Sequence, residues 1–177
     1  MKKIAWIFGL IITVAAVGGA QQVFETGTKQ KIRVVTLATG LVHPWSIAFL
    51  PGGRTMLVAE QAGRLRILRD GVLDPKPVWE APAPPRESSD RLHAVAVHPR
   101  FAENRFVYVS YPKWGDRGNT LVVARGRLGD DALTDVREIF VADAWETSGN
   151  LAGRIMFGPD QTLYVAVWRP RPPLLHR

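Results

Sequence analysis

Residues 46–59 read SIAFLPGGRTMLVA, two short apolar runs separated by a turn of proline and glycine. Both runs have the length of a β-strand and contain β-branched or aromatic residues. Proline and glycine favour the tight turn that joins antiparallel strands. The stretch therefore predicts a pair of antiparallel β-strands.

The same pattern recurs twice along the chain. Residues 94–97 (AVAV) and 106–110 (FVYVS) flank the turn 98–104, and residues 154–157 (RIMF) and 163–167 (LYVAV) flank a Gly-Pro-Asp turn. The copies are 48 and 60 residues apart, close to the spacing of β-propeller blades, each of which is a four-stranded sheet. A β-sandwich has similar turn spacing, so the repeat alone leaves both architectures open.

Other segments also have strand character, and none beyond the N-terminus has helical periodicity. Residues 34–38 and 120–125 are apolar runs bounded by turn-forming residues. Leu65–Arg69 nearly alternates apolar with basic residues, which predicts a strand with one solvent-facing side. Asp70-Gly71 favours a hairpin turn. Pro75–Pro85 predicts a surface crossing between sheets, because proline cannot donate to a strand ladder. We predict an all-β chain beyond the N-terminus.

The N-terminus has the order of a secretory signal peptide. Lys2 and Lys3 precede an apolar stretch over residues 4–17, and Gly18-Gly19-Ala20 supplies small residues for cleavage after Ala20. The apolar stretch, about 14 residues at 1.5 Å each, is short for a bilayer core of roughly 30 Å. We expect residues 1–20 to be a signal peptide and the protein to be periplasmic or secreted, with an N-terminal anchor as the weaker alternative.

Composition excludes several classes of function. The chain has no cysteine, so disulfides, thiolate metal sites and thiol nucleophiles are excluded. The net charge of +7 is concentrated at the two ends of the chain, and residues 21–167 hold 18 basic against 16 acidic side chains. A nucleic-acid-binding protein should carry a clustered basic face, so we expect no nucleic-acid partner. The sequence also lacks the usual serine-hydrolase and zinc-protease motifs.

Three ordered motifs carry a resemblance to a known family. HPWSIAFLPGG at 43–53, LVAE at 57–60 and GRLRI at 63–67 resemble the first blade of the glucose/sorbosone dehydrogenases. VAVHPRF at 95–101 is similar to the second blade of that family, and AGRIMFGPD at 152–160 is similar to the segment that opens the third. The resemblance covers about Val34 to Val167.

The resemblance implies a fold and a chemistry. The fold is a six-bladed β-propeller, of which residues 21–167 would form the N-terminal part, about two and a half blades. The family enzymes are periplasmic and use pyrroloquinoline quinone (PQQ) and calcium to oxidise the C1 hydroxyl of an aldose to the lactone. A histidine acts as the base, a task that suits imidazole because its pKa lies near neutrality. PQQ, calcium and a sugar substrate are therefore implied for this chain.

The resemblance also assigns candidate site residues. Asn150 stands at the position of the family's histidine base, four residues before Arg154, and a carboxamide has no usable basicity. Ser89 stands where the family has a quinone-contacting glutamine. His93 is a second candidate base, with a packed structural role as the alternative. The family's calcium ligands and its quinone-holding lysine and arginines lie in later blades, so we expect no metal ligand here.

The C-terminal residues depart from the family pattern. After Val167 the family continues Gly-Asp-Arg, whereas residues 168–177 read WRPRPPLLHR. Codons for Trp-Arg-Pro-Arg-Pro can encode Gly-Asp-Arg-Asp when read one base later, so we expect an aberrant, frameshifted tail, with a natural Arg/Pro tail as the alternative. We expect a truncated quinoprotein sugar dehydrogenase that is inactive alone. The competing interpretation is an exported, non-catalytic, propeller-like binding module.

Overall fold

The computed structural model describes residues 22–25, 31–85, 88, 90–145 and 152–167. The predicted signal peptide and the C-terminal tail lie outside the described residues. The chain divides into two units, residues 1–37 and 38–177. In the first unit, β1 (Gln22–Glu25) pairs antiparallel with β2 (Lys31–Val34). The strand predicted over residues 34–38 is wrong beyond its first residue, since residues 35–38 are not in a strand.

The second unit begins with an antiparallel sheet in the strand order β3–β4–β5–β6, and a short strand β7 also pairs with β5. Its strands match the predicted runs closely, and the Asp70-Gly71 turn between β5 and β6 has positive φ at both residues, as a tight hairpin turn requires. The strands are β3 (Pro44–Phe49), β4 (Thr55–Glu60), β5 (Arg64–Arg69), β6 (Val72–Leu73) and β7 (Trp79–Glu80).

Two further antiparallel sheets follow. The second has the order β11–β10–β9–β8 and the third pairs β12 with β13. A single helical turn, α1 (Phe101–Asn104), lies in the connection between β8 and β9. The all-β prediction is confirmed, and each copy of the sequence repeat forms the first two strands of a sheet. The strands are β8 (Ala94–Val97), β9 (Phe106–Gly115), β10 (Gly118–Leu128), β11 (Leu133–Val141), β12 (Ala152–Phe157) and β13 (Leu163–Val167).

The core lies between successive sheets. Leu57, Leu65 and Ile67 of the first sheet pack against side chains of the second, among them Val107 and Val109. The opposite face of the second sheet packs against the third through Ala94, Ala96, Tyr108, Val123 and Ile155. The sheets are therefore stacked face to face in chain order.

The first strands of the three sheets are neighbours. β3 lies beside β8, and β8 lies beside β12. The backbone N–H of Val95 donates to the Ser46 hydroxyl (3.2 Å), which links the edge of the first sheet to that of the second. The open edges of the three sheets therefore converge on one region.

One face of β5 differs from its prediction. The alternation of Leu65–Arg69 predicts a solvent-facing side, but the Arg66 side chain is buried. Its guanidinium lies 3.4 Å from Oε1 of the fully buried Glu60 and donates to the Asp74 carbonyl at 2.7 Å. The prediction of a wet face is wrong because a buried carboxylate neutralises the arginine.

Most of the proline-rich stretch 75–85 lies at the surface, as predicted for a crossing between sheets, and only two of its residues are buried. Val78 and Ala81 are buried, and their N–H groups donate to the carbonyls of Leu65 (2.9 Å) and Gly63 (2.8 Å). Because both donors are non-proline residues, the neighbouring prolines do not prevent these two backbone hydrogen bonds. Within the described residues, no helix is long or apolar enough to cross a membrane.

Candidate functional site

A cavity of about 700 Å³ lies where the first strands of the three sheets meet. Its size is typical of small-molecule sites. The polar side chains on its wall are few, and apolar residues form the rest. The lining residues are Trp45, Ser46, Ile47, His93, Ala94, Val95, Ala152, Arg154, Ile155, Met156 and Ala166.

His93 lies on the wall of this cavity, immediately before β8. Its N–H donates to the Ser110 carbonyl (2.8 Å), which fixes the backbone at the sheet edge. The side chain is only 4% exposed. Nε2 lies 3.1 Å from Oδ1 of Asp90, yet both ring nitrogens are buried and neither makes a well-aligned hydrogen bond. In this conformation His93 presents no nitrogen to the open cavity.

Asp90 is the charged neighbour of His93. Burial acts to raise the pKa of the Asp90 carboxyl, but interaction with the His93 ring and a hydrogen bond from Gln61 outweigh it. The pKa of Asp90 therefore lies below its usual value. The carboxylate therefore stays ionised near neutral pH and lies beside the His93 ring.

Gly153 packs directly against the His93 ring. A Cβ at this position would lie 2.3 Å from Nδ1 of His93, and the backbone φ of +88° also favours glycine. The Gly153 carbonyl accepts a hydrogen bond from the Ser110 hydroxyl, which itself accepts one from the N–H of Ala94. Gly153 thus lets the third sheet approach the second closely at the cavity.

Two side chains that were not singled out as site residues also line the cavity. Trp45 is 62% exposed and presents an indole, and Arg154 presents a guanidinium. Alternation along β12 buries Gly153 and Ile155 and leaves Arg154 exposed. The cavity can therefore offer an aromatic surface and one bidentate cation to a ligand.

The predicted site residues have different outcomes. The structure brings His93 to the cavity with Arg154 and Trp45, while Asn150 and Ser89 lie outside the described residues. Among the residues that the structure does describe, no group of three or more His, Asp or Glu side chains could hold a metal ion. The role of each candidate stays a prediction.

The sequence model of the glucose/sorbosone dehydrogenases matches residues 41–168. This match covers more than half of the chain and all three sheets around the cavity. The chain belongs to the glucose/sorbosone dehydrogenase family.

Relatives of this glucose/sorbosone dehydrogenase chain are longer than it is. It is 40% identical over 146 residues to an uncharacterized protein of Synechocystis, covering 77% of this chain and 35% of the relative. It is 33% identical over 140 residues to the aldose sugar dehydrogenase YliI of Escherichia coli, covering 77% of this chain and 38% of the relative. The chain thus spans little more than a third of the length of these two relatives.

Solved structures agree with the family assignment. A glucose dehydrogenase crystal structure matches with a TM-score of 0.61 and 32% identity, covering 72% of this chain and 38% of that one. The PQQ-bound aldose sugar dehydrogenase of Streptomyces coelicolor matches with a TM-score of 0.58 and 25% identity, covering 84% of this chain and 42% of that one. The glucose/sorbosone dehydrogenase fold therefore extends over most of the chain.

Proposed function

We propose that this chain forms the N-terminal part of a PQQ-dependent aldose dehydrogenase, with residues 21–167 as about two and a half blades of a six-bladed propeller. The observation that carries the proposal is the cavity where β3, β8 and β12 converge, since small-molecule sites are concave and mostly apolar with a few polar groups. The family reaction oxidises the C1 hydroxyl of an aldose to the lactone. The described part alone does not oxidise sugar, because it supplies one wall of the site.

The cavity residues fit one side of PQQ, a flat quinone with three carboxylates. The Arg154 guanidinium would pair with one carboxylate, and the Trp45 indole would lie against the ring system. Ile47 and Met156 would exclude water from that face. When bound, the quinone supplies the hydride acceptor. One cation for three carboxylates supports partial binding, with the other cations contributed by later blades.

The same residues do not fit calcium. Calcium prefers six to eight oxygen ligands, mostly carboxylates and carbonyls. The described lining of the cavity contains no carboxylate side chain. No step of the proposal is therefore routed through a metal ion.

The proton acceptor is the weakest part of the site. Asn150 replaces the family's base and can only hydrogen-bond a hydroxyl. His93 is the remaining candidate on the described wall: its ring would have to turn a nitrogen toward the cavity, and Asp90 would then stabilise the imidazolium. Ser89 stands at the position of the family's quinone-contacting glutamine, and its shorter side chain would offer the quinone a hydroxyl in place of an amide.

An exported binding module without catalysis is the second candidate function. The burial of both His93 ring nitrogens favours it, since no described base faces the cavity. Such a module would keep the sheets as a scaffold for a sugar. Export through a signal peptide ending at Ala20 fits both candidates, and N-terminal sequencing of the mature protein should begin at Gln21.

One experiment separates these functions. The purified chain is titrated with PQQ by tryptophan fluorescence, and dye reduction is then measured with PQQ, calcium and glucose. We expect PQQ binding that R154Q weakens by about tenfold or more, as expected for a lost charge-assisted bond, and no dye reduction by wild type or N150H. Absence of PQQ binding together with sugar binding would favour the binding module. Dye reduction that is abolished by H93Q would instead make the chain a complete enzyme with His93 as its base.

A further inference from the structure

A second cavity, of about 550 Å³, lies on a different part of the molecule. It is an open depression between the proline-rich segment and the β9–β10 hairpin, and it shares no lining residue with the cavity at the sheet edges. Its wall combines aromatic and charged side chains. The lining residues are Pro82, Ala83, Pro85, Tyr111, Lys113, Trp114, Gly115, Asp116 and Glu138.

The charged groups of this cavity are held close together. Nζ of Lys113 lies 2.6 Å from Oε2 of Glu138, although the two residues belong to strands on either side of β10. The ammonium has three donors and the carboxylate about four acceptor positions, so each keeps free capacity after this contact. Asp116 at the hairpin tip adds a second carboxylate.

Tyr111 lies at the buried end of the cavity, and its hydroxyl hydrogen-bonds to Glu138. Burial, the negative charge of Glu138 and hydrogen bonding to Glu138 raise the pKa of Tyr111 to about 12. The Tyr111 ring is 5% exposed and packs against Trp79 with ring centroids 5.7 Å apart. The phenol is therefore rigidly placed and protonated at neutral pH.

The β9–β10 hairpin that carries Trp114 is stabilised by contacts with the Trp145 ring. A Cβ at Gly115 would lie 2.8 Å from the Trp145 ring, so the two are in direct contact. The Arg117 guanidinium covers the same ring at 4.7 Å from its centroid. The proline wall opposite has fixed φ angles. The cavity is thus formed before any ligand arrives, which lowers the entropic cost of binding.

We propose that this cavity is a second saccharide-binding site, separate from the sugar-oxidising region, for a neutral pyranose ring. A pyranose has an apolar C–H face that would pack on the Trp114 indole and a rim of hydroxyls that both donate and accept. Lys113 supplies donors, while Glu138, Asp116 and the hydroxyl oxygen of Tyr111 supply acceptors. One cation against two carboxylates disfavours anionic sugars such as uronates.

The proposal is tested by isothermal titration of the full chain with glucose, a glucose disaccharide and glucuronate. We expect saturable binding of the neutral sugars, weaker binding of glucuronate, and at least tenfold weaker binding in W114A and in E138Q. W45A, which alters the other cavity, should leave this binding unchanged. W45A and R154Q report on the first cavity. A loss of sugar binding at the second cavity can therefore be distinguished from a failure of the proposed dehydrogenase function.

A folding control keeps the test decisive. Urea unfolding shows whether W114A is folded, and W114F, which keeps an aromatic face, should retain binding within a few-fold. The proposal is overturned if no neutral sugar binds the wild-type chain. It is also overturned if intact W114A and E138Q bind as wild type does, or if W45A alone abolishes binding.

Discussion

The two faces of the first sheet are built from the same strands but are stabilised differently. The face toward the second sheet is apolar and buried, with Leu57, Leu65 and Ile67 at its centre. On the opposite face, Trp45, Ile47 and Phe49 of β3 are largely exposed, while Met56 and Val58 are covered by residues near Leu41. Alternation along a strand thus determines which side chains share a face, and the neighbouring segments determine which face is buried.

Buried charge is the main feature of the opposite face. Glu60 is fully buried and accepts from the Val42 N–H (2.7 Å), from Nε of Arg64 (2.6 Å) and from Nη1 of Arg66 (3.4 Å). The carboxylate thereby connects two strands to the segment that precedes β3. One face is held by apolar packing, and the other combines a charged network with a smaller apolar cluster of Met56, Val58 and Leu68.

The largest effect should follow removal of the Glu60 carboxylate. E60A leaves Arg66 buried without a counter-charge, and breaking a buried pair in this way costs about 3–5 kcal/mol. Urea unfolding measures the loss. E103A is the matched control. Glu103 is exposed, and its contact with Arg100 is long, at 3.9 Å. We expect E103A to change the free energy of unfolding by less than about 0.5 kcal/mol. A loss below about 1 kcal/mol in E60A would show that the network does not stabilise this face.

Truncation on the packed face should cost somewhat less. L65A removes a fully buried side chain between the first two sheets, and we expect a loss of about 3 kcal/mol. V72A, at an exposed position of the same sheet, is the comparison and should be nearly neutral. Equal effects of the two variants in urea unfolding would contradict the stacking of the sheets.

Gly153 tests the contact between the second and third sheets. G153A places a Cβ into the His93 ring, and we expect a loss of about 2 kcal/mol from overpacking. H93A should remove the steric part, so the double variant should lose less than the sum of the single variants. Additive losses would mean that the ring is not in contact with Gly153.

The smallest effect should come from the exposed residues of β3. Ile47 is 51% exposed, and I47T should change the free energy of unfolding by no more than about 0.5 kcal/mol. A thermal melt with reversible unfolding measures this. A loss above about 1 kcal/mol would show that this face is covered in solution.

Much of the fold was predictable because its signals are local. Turn residues and apolar runs gave the position of most strands, including the hairpin turn at Asp70-Gly71. β11 was missed because, apart from Leu133, its residues are largely exposed and give no clear periodicity. The burial of Arg66 was also missed, because its partner Glu60 lies on the adjacent strand. Apolar and basic residues alternate in the same way on a strand whether its polar face is exposed to solvent or covered by other residues.

The candidate site was less predictable because it is assembled by tertiary contacts. Motif resemblance located Asn150, Ser89 and His93, but it did not indicate that both His93 nitrogens are buried. Trp45 and Arg154 meet at one cavity although they are more than a hundred residues apart in sequence. The second cavity likewise brings together a proline-rich segment, a hairpin and the outer strand β11, none of which carries a recognisable motif.

The central claim is that the first strands of successive sheets meet, and engineered cysteines test it most directly because the chain has none of its own. A disulfide requires Cα atoms within about 7 Å, and the Val95 N–H lies 3.2 Å from the Ser46 hydroxyl. We predict that S46C/V95C forms an intramolecular disulfide on mild oxidation, whereas S46C/V72C does not, because β6 lies three strands from β3, or about 14 Å. Absence of the first crosslink in the folded protein, or equal formation of both, would contradict the account.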